Sequence, residues 1–343
     1  MIARYSATAL VAAALFAPSG AESPTHRAAS GTSWVKTFSE SSEFTLDSIT
    51  QRMNGNEIDA PGIEMEGSLV RAFEIIDDCI EAEDGVLGSG TRSFEEVTGS
   101  CKIRVGAGGE LDEREVYLTS RLEGHELSYE RDGDDYEFSY SEDSDGDDDL
   151  LETLIEDADF QLLVPEEDVK EGDSWRVDLA EGRAFFAPGG QLTWEPSEAP
   201  APMPNSMDAV SLISVSMVSL ADCSEEITGT IEATWKSTRE EDGHEVAVIA
   251  LELDAELSAN LDEELMRMAG AVDLDAQDHV FDCNWEVEGT GELLWDLEAG
   301  HFLSLDMECE IIIEFEMSWE EPFGKLEIEA EVSGETKIEA RAE

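Results

Sequence analysis

Residues 303–319 read LSLDMECEIIIEFEMSW, and this stretch decides the fold class. Every odd-numbered position from Leu303 to Trp319 is apolar, whereas the even-numbered positions are Ser, Asp or Glu except at Ile312. A helix would spread these apolar residues around its circumference, but a strand places them all on one face. The pattern therefore predicts one β-strand with a dry face and an acidic face. At about 3.3 Å per residue it spans roughly 55 Å, so we expect it to bend or coil.

The neighbouring segments show the same alternation. Turn residues separate them at Asp242-Gly243, at Gly300 and at 321–324. Five long consecutive strands predict an up-and-down antiparallel meander. We expect a mainly β protein with a minor α component, built from curved, half-barrel-like sheets with one or two covering helices. The candidate helices are 206–221, for which a strand remains an alternative, and a short one over 262–269.

The first half of the chain is less regular but similar in kind. A strand is predicted over 63–75, a turn at Asp84-Gly85, short strands between 116 and 140, and a helix over 148–156. Residues 187–205 contain a Pro-Gly-Gly sequence and four closely spaced prolines, which favour an extended linker. We therefore predict an N-terminal β-rich domain over 34–186, this linker, and a C-terminal β-meander domain over 206–343.

The N-terminus has the pattern of a Sec-type export signal. Arg4 is followed by an apolar run over 7–17, and Ser19-Gly20-Ala21 supplies small residues for cleavage near Ala21. Residues 1–21 are thus predicted as a signal peptide and 22–33 as a polar tether. No later run approaches 18 apolar residues, so no integral membrane segment is expected after cleavage. The predicted location is secreted or periplasmic.

The charge of the chain excludes several classes of partner. Eighty-three acidic against 20 basic residues give a net charge of −63. Nucleic acids and anionic membrane surfaces need Lys and Arg to neutralise phosphates, so they are not expected partners. We interpret the acidity as a solvating surface suited to salty surroundings; a dedicated cation-binding surface is the alternative.

Five cysteines in an exported chain allow two disulfides and one unpaired thiol. The candidate pairs are Cys79 with Cys101, which flank a predicted hairpin, and Cys283 with Cys309 on consecutive strands. Cys223 is then the odd one. Buried free thiols are the alternative, and the spacing fits no zinc pattern.

One acidic loop resembles a twelve-residue calcium loop. Residues 141–152 read SEDSDGDDDLLE, with oxygen-bearing side chains at positions 1, 3 and 5, Gly at 6 and Glu at 12. The metal candidates are Asp143, Asp145, Asp147 and Glu152. Ser at position 1, Asp at position 8 and the strand-like segment before the loop depart from the pattern, so a solvated loop is the competing interpretation.

No pattern in the sequence indicates catalysis. The five histidines form no metal-binding pair, and neither a nucleophile elbow nor a phosphate-cradling loop is present. Carboxylates are too numerous for an acid–base pair to be identified. We therefore expect no enzyme, no catalytic residue and no cofactor other than Ca²⁺.

Two motifs resemble those of exported bacterial proteins of unassigned role. One is Leu162-Leu163-Val164-Pro165 leading to Gly172-Asp173-Ser174-Trp175, and the other is the hairpin from Gly289-Thr290-Gly291 to Gly300-His301-Phe302. The resemblance implies an extracytoplasmic β-rich protein and carries no catalytic residues. The residues themselves predict a turn that presents Trp175 to a core.

These observations lead to three expectations for function. The first is an envelope or surface protein with an interaction or structural role, in which the dry face is simply core. The alternative is a carrier that binds an apolar, lipid-like ligand on a curved sheet. A calcium-binding surface protein is the second alternative. Partner identity and oligomeric state stay open.

Overall fold

The computed structural model describes residues 23–58, 62–83, 85–107, 111–133, 135–141, 144–197, 226–241, 243–260, 280–321 and 324–343. Fourteen strands are found in these ranges: β1 Ser33–Met53, β2 Asn56–Glu57, β3 Ile63–Glu83, β4 Val86–Ala107, β5 Leu111–Ser120, β6 Glu126–Asp132, β7 Asp135–Tyr140, β8 Ser174–Asp178, β9 Trp194–Pro196, β10 Glu226–Glu241, β11 His244–Asn260, β12 Val280–Asp296, β13 His301–Glu321 and β14 Gly324–Ala342. The described helices are short: α1 Arg183–Phe186 and 3-10 turns at Asp148–Leu150, Gln161–Leu163 and Leu179–Glu181.

All the strands belong to one antiparallel sheet. Its order is β7-β6-β4-β3-β1-β14-β13-β12-β11-β10-β8, with β5 and β9 attached beside β4 and β2 beside β1. The predicted meander is confirmed, because β10 to β14 lie in sequence order. The sheet does not close on itself, and it has the curved half-barrel character expected for the fold class.

The first and last strands along the chain, β1 and β14, join its two halves in the middle of the sheet. β1 pairs with β14 from Lys36↔Ala342 to Met53↔Leu326 and with β3 on its other side. Strands from both predicted domains therefore share one sheet. Neither helix predicted over 206–221 and 262–269, nor the signal peptide, lies within the described residues.

The sheet has two chemically different sides. We call the side that carries the buried side chains the inner face and the opposite side the outer face. On β13, Met307, Cys309, Ile313, Phe315 and Met317 are at most 4 % exposed, as the odd-parity pattern predicted. The alternate residues point to the outer face.

Residues 144–193, which we call the covering segment, cover part of the inner face. Phe160 and Phe185 are about 1 % exposed, and Phe160 packs edge-on against Phe38 and Phe302 of the sheet. Trp175 packs against the same core and donates its indole N–H to the carbonyl of Leu163 (3.1 Å), so the predicted role of this turn is confirmed. The helix predicted over 148–156 is wrong: only 148–150 form a 3-10 turn.

Two segments predicted as flexible connections are instead packed. Residues 23–32 are no tether: the amides of Arg27 and Ala28 donate to the carbonyls of Gly300 and Gly85 (2.9 and 2.8 Å). In the predicted linker, the described residues 187–197 contain the buried Trp194, and β9 pairs with β5. Gly189 and Gly190 adopt positive φ (80° and 105°), so this glycine pair makes a tight turn instead of an extended spacer.

Candidate functional site

The most pronounced defect in the packing of the inner face is a row of small side chains. Cross-strand register places Ser42, Thr336, Cys309 and Gly289 side by side on β1, β14, β13 and β12. Gly289 must be small, because a Cβ there would lie 2.5 Å from the Cys309 sulfur. These short side chains leave space that their larger neighbours above and below do not fill.

A cavity of about 100 Å³ lies over this row. Its remaining walls are mainly apolar and come from six strands and α1, including Phe44, Leu69, Phe186, Leu253, Leu257, Trp285, Val287, Ile311 and Ile313. An apolar cavity with a few placed polar groups is the usual form of a small-molecule site. The cavity is therefore the candidate functional site.

Four polar residues that line the cavity form one connected chain of hydrogen bonds. The hydroxyls of Ser42 and Thr336 are 2.8 Å apart and both residues are buried. Ser42 also donates to Oε1 of Glu40 (3.3 Å), whose other oxygen accepts from Nε (3.2 Å) and Nη2 of Arg71. Each of these groups thus has a partner, as buried polar groups require.

Arg71 and Glu40 mark the boundary with a second, smaller cavity. This space of about 60 Å³ shares Glu40, Arg71, Phe186 and Ile338 with the first. The Arg71 guanidinium lies 5.7 Å from the centre of the Trp194 ring, a cation–π distance. The Glu40–Arg71 ion pair and the ring of Phe186 therefore separate the two cavities.

The thiol of Cys309 is a wall of the cavity and not a reactive group. Burial raises the pKa of Cys309 to about 11. Because the thiolate is the reactive form, a thiol with this pKa is inert at neutral pH.

A second polar cluster lies on the inner face nearer the covering segment. Asp77 accepts from Lys36 (2.7 Å) and from Nε (2.7 Å) and Nη2 (3.1 Å) of Arg92, while Lys36 also contacts Asp159 (2.9 Å). Burial alone raises the pKa of Asp77, but the charges of Arg92 and Lys36 outweigh it and bring the pKa down to about 2.

Arg92 connects this cluster to the covering segment. Its guanidinium donates to the carbonyls of Ile155 and Glu156 (both 2.9 Å) and Gly189 (3.3 Å), and the side chain is fully buried. These bonds fix two loops on the inner face. The cluster is a structural clamp, and sequence analysis missed it; charged residues at buried strand parity, Lys36 and Arg92, were its only signal.

The outer face behind the cavity is acidic. Register across β1, β14, β13, β12 and β11 aligns Glu43, Glu335, Glu310, Glu288 and Asp254 in a single row. Directly opposed residues have Cβ atoms about 5 Å apart, and like charges at this spacing repel. Glu43 also lines the inner-face cavity, so the row reaches its edge.

The calcium prediction remains untested. Asp143 lies outside the described residues, while Asp145, Asp147 and Glu152 are exposed. Asp147 is engaged elsewhere: it accepts from the amide of Asp149 (3.2 Å) and pairs with Arg121 (2.8 Å). Within the described residues, no three His, Cys, Asp or Glu side chains are grouped for a metal ion.

The disulfide predictions are wrong, because the four described cysteines are free and buried. Cys79 lies opposite Gly90 while Cys101 lies opposite Leu69, which separates the two by roughly 33 Å along the β3–β4 ladder. Cys283 and Cys309 are displaced by six residues, roughly 20 Å. A disulfide needs Cα atoms within about 7 Å. Cys223 lies outside the described residues.

Within the described residues there is also no helix with the length and apolar character needed to cross a membrane.

Comparison with known proteins adds little to this geometry. No family model matches the sequence, and no curated relative matches it. Three solved structures from Pseudomonas aeruginosa align over most of the chain. The outer membrane protein OprG is 6 % identical over 94 % of this chain and 99 % of its own (TM-score 0.20); OccK7 (OpdD) is 8 % identical over 91 % and 99 % (0.24); and OpdQ is 6 % identical over 91 % and 97 % (0.14). Similarity this low carries no argument about fold or function.

Proposed function

We propose that this chain is an exported, non-catalytic protein of the cell envelope that binds an apolar ligand in the inner-face cavity. The observation that carries the proposal is the cavity itself. It interrupts a continuous buried core, has mostly apolar walls, and contains one self-satisfied polar chain from Arg71 to Thr336. The export signal at 1–21 supports the extracytoplasmic location.

The size of the cavity limits what it holds. An engineered apolar cavity of about 150 Å³ accepts benzene, whereas typical drug-sized sites measure roughly 300–1,000 Å³. The space of about 100 Å³ suits one end of a single-chain amphiphile, with its polar head beside Ser42 and Thr336 and only the first carbons of its chain enclosed. The rest of such a ligand would lie outside the described cavity.

A structural or interaction protein of the envelope is the second candidate function. It is favoured by the tight packing of most of the inner face, where Trp235, Trp295, Ile249 and Leu293 are fully buried. In this case the cavity is an unfilled packing defect and the sheet is a scaffold.

The two functions can be distinguished by purifying the protein under native conditions, extracting it with solvent, and analysing the extract for a bound molecule by mass spectrometry. A co-purifying lipid-like molecule is expected if the chain is a carrier. Cys309→Leu fills part of the cavity and leaves every residue of the polar chain in place, so this variant should lose the ligand. Glu308→Gln, one residue away on the outer face, is the matched control and should keep it.

The outcomes are distinct. Ligand-free wild-type protein that also fails to take up added monoacylglycerol overturns the binding proposal and leaves the scaffold function. Ligand retained equally by Cys309→Leu places binding elsewhere on the chain. Calorimetry with millimolar Ca²⁺ tests the remaining calcium hypothesis separately, and an absent signal dismisses it.

A further inference from the structure

The charges around the inner-face cavity restrict the chemistry of its ligand. The sheet is one layer thick at the cavity, and the row Glu43, Glu335, Glu310, Glu288 and Asp254 occupies its other side. An anionic group held at the cavity would therefore lie on the order of 10 Å from several carboxylates, because successive side chains of a strand point to opposite faces of a single sheet. The whole chain adds a net charge of −63.

The cation nearest to the cavity does not offset this field. Arg71 is 7 % exposed and directs two guanidinium nitrogens to the same carboxylate oxygen of Glu40. The ion pair is neutral overall, Ser42 and Thr336 carry no charge, and Glu43 at the edge of the cavity adds a negative one. The cavity thus has polar contacts to offer but no net positive charge.

We propose that the cavity selects neutral amphiphiles, such as acylglycerols, and rejects anionic ones, such as fatty acids, of the same chain length. This selectivity rests on the proposed binding function. It arises because the carboxylates of the outer face repel an anion through the sheet. In addition, Glu40 neutralises Arg71, the cation that lines the cavity and with which an acidic headgroup could otherwise pair.

Coulomb's law gives the expected size of the effect. Five charges about 10 Å away in a medium of water-like dielectric disfavour an anion by about thirtyfold at low ionic strength. Near 0.15 M salt the Debye length is about 8 Å, which reduces the discrimination to a few-fold. A salt-dependent preference is therefore the signature of this mechanism, because selectivity based on shape alone would not respond to salt.

The test compares monododecanoylglycerol with dodecanoate by calorimetry, below the aggregation threshold of each, at 10 mM and 500 mM NaCl. The expected result is binding of the neutral compound with an affinity nearly independent of salt. Dodecanoate should bind about thirtyfold more weakly at 10 mM NaCl and approach the neutral compound at 500 mM.

Glu40→Gln tests the role of the ion pair. The variant removes the carboxylate that neutralises Arg71 and should improve dodecanoate binding at least tenfold relative to monododecanoylglycerol. Glu43→Gln removes one outer-face charge at the same edge and should change the ratio by only about twofold. Circular dichroism of each variant checks the fold, and the wild-type salt series stands by itself if Glu40→Gln does not fold.

The results distinguish the two proposals. If neither compound binds, the binding function fails. If both bind but dodecanoate is equal or stronger at 10 mM NaCl, the selectivity is overturned while the binding function stands.

Discussion

The two faces of the central sheet are made from the same strands and follow opposite rules. On β13, Ile312 lies on the outer face and is 43 % exposed, whereas its neighbour Ile313 lies on the inner face and is 3 % exposed. The outer face carries most of the acidic side chains of these strands, and the inner face carries the core, two adjoining cavities and two polar clusters. The comparison shows that position relative to the pleat, more than residue type, sets the energetic importance of a side chain.

The largest difference between the two faces is expected when the same charge is introduced on each of them. Ile313→Glu buries an unpaired carboxylate among apolar side chains and should cost at least about 4 kcal/mol of unfolding free energy, or prevent folding. Ile312→Glu should change stability by less than about 1 kcal/mol. Urea unfolding of both variants measures this difference, and equal losses would refute the assignment of the faces.

Two arginines of β4 extend the comparison to ion pairs. Arg92→Met breaks the buried clamp on Asp77 and leaves three carbonyls without their donor, which should cost about 3–5 kcal/mol. Arg104→Met removes the exposed outer-face pairs with Glu66 and Glu113 and should cost less than about 1 kcal/mol. Chemical denaturation is again the measurement; a similar small cost for both would show that Arg92 is not a clamp.

The buried carboxylate of Asp157, in the covering segment, should make the stability of the fold depend on pH. Burial, with a contribution from Asp159, raises the pKa of Asp157 to about 6. Its folded-state pKa exceeds the unfolded value, so the protonated form stabilises the fold, and this stability is lost as pH rises from about 4 through 6.

Asp157→Asn should therefore be more stable than wild type by roughly 1–2 kcal/mol above pH 7, with the gap closing towards pH 4. Thermal melts across this range test it. Because Asn keeps an acceptor for the amides of Asp159 and Gln161, a gap that does not vary with pH would contradict the assignment.

The smallest expected effect concerns the carboxylate row of the outer face. Glu310 lies between Glu335 and Glu288, whereas Glu308 lies between Lys337 and Thr290. Glu310→Gln should raise stability by about 0.5 kcal/mol at 10 mM NaCl, and Glu308→Gln should not. The wild-type melting temperature should also rise between 10 and 500 mM NaCl. A melting temperature that does not change with salt would show that repulsion between these carboxylates does not destabilise the fold.

The sequence predicted some regions of the sheet well and missed others. Strands β10 to β14 were identified because their apolar residues alternate strictly. Strand β1 was missed, although it lies at the centre of the sheet, because its inner-face positions include Lys36, Glu40 and Ser42 beside Phe38 and Phe44. Polar residues at buried positions hide the alternation, and here they belong to the two polar clusters.

The candidate site itself was not predictable. It lies over a row of residues from four strands, and no local pattern shows that Ser42, Thr336, Cys309 and Gly289 are aligned. Their alignment depends on cross-strand register, which register shifts such as those between Leu46 and Ser48 and between Leu294 and Trp295 help to set. The disulfide predictions failed for the same reason, since facing the same side does not bring two cysteines together.

The sequence alone was enough to predict the strand type, the acidic outer face, a sensitivity to salt and a signal for export. These properties follow from local periodicity and composition, which act over a few residues or over the whole chain. The tertiary structure decided that the first strand pairs with the last, that the four described cysteines stay free, and that a cavity with a neutral ion pair lies in front of a row of carboxylates. These features depend on which residues become neighbours across strands far apart in sequence, and only the folded register supplies that information.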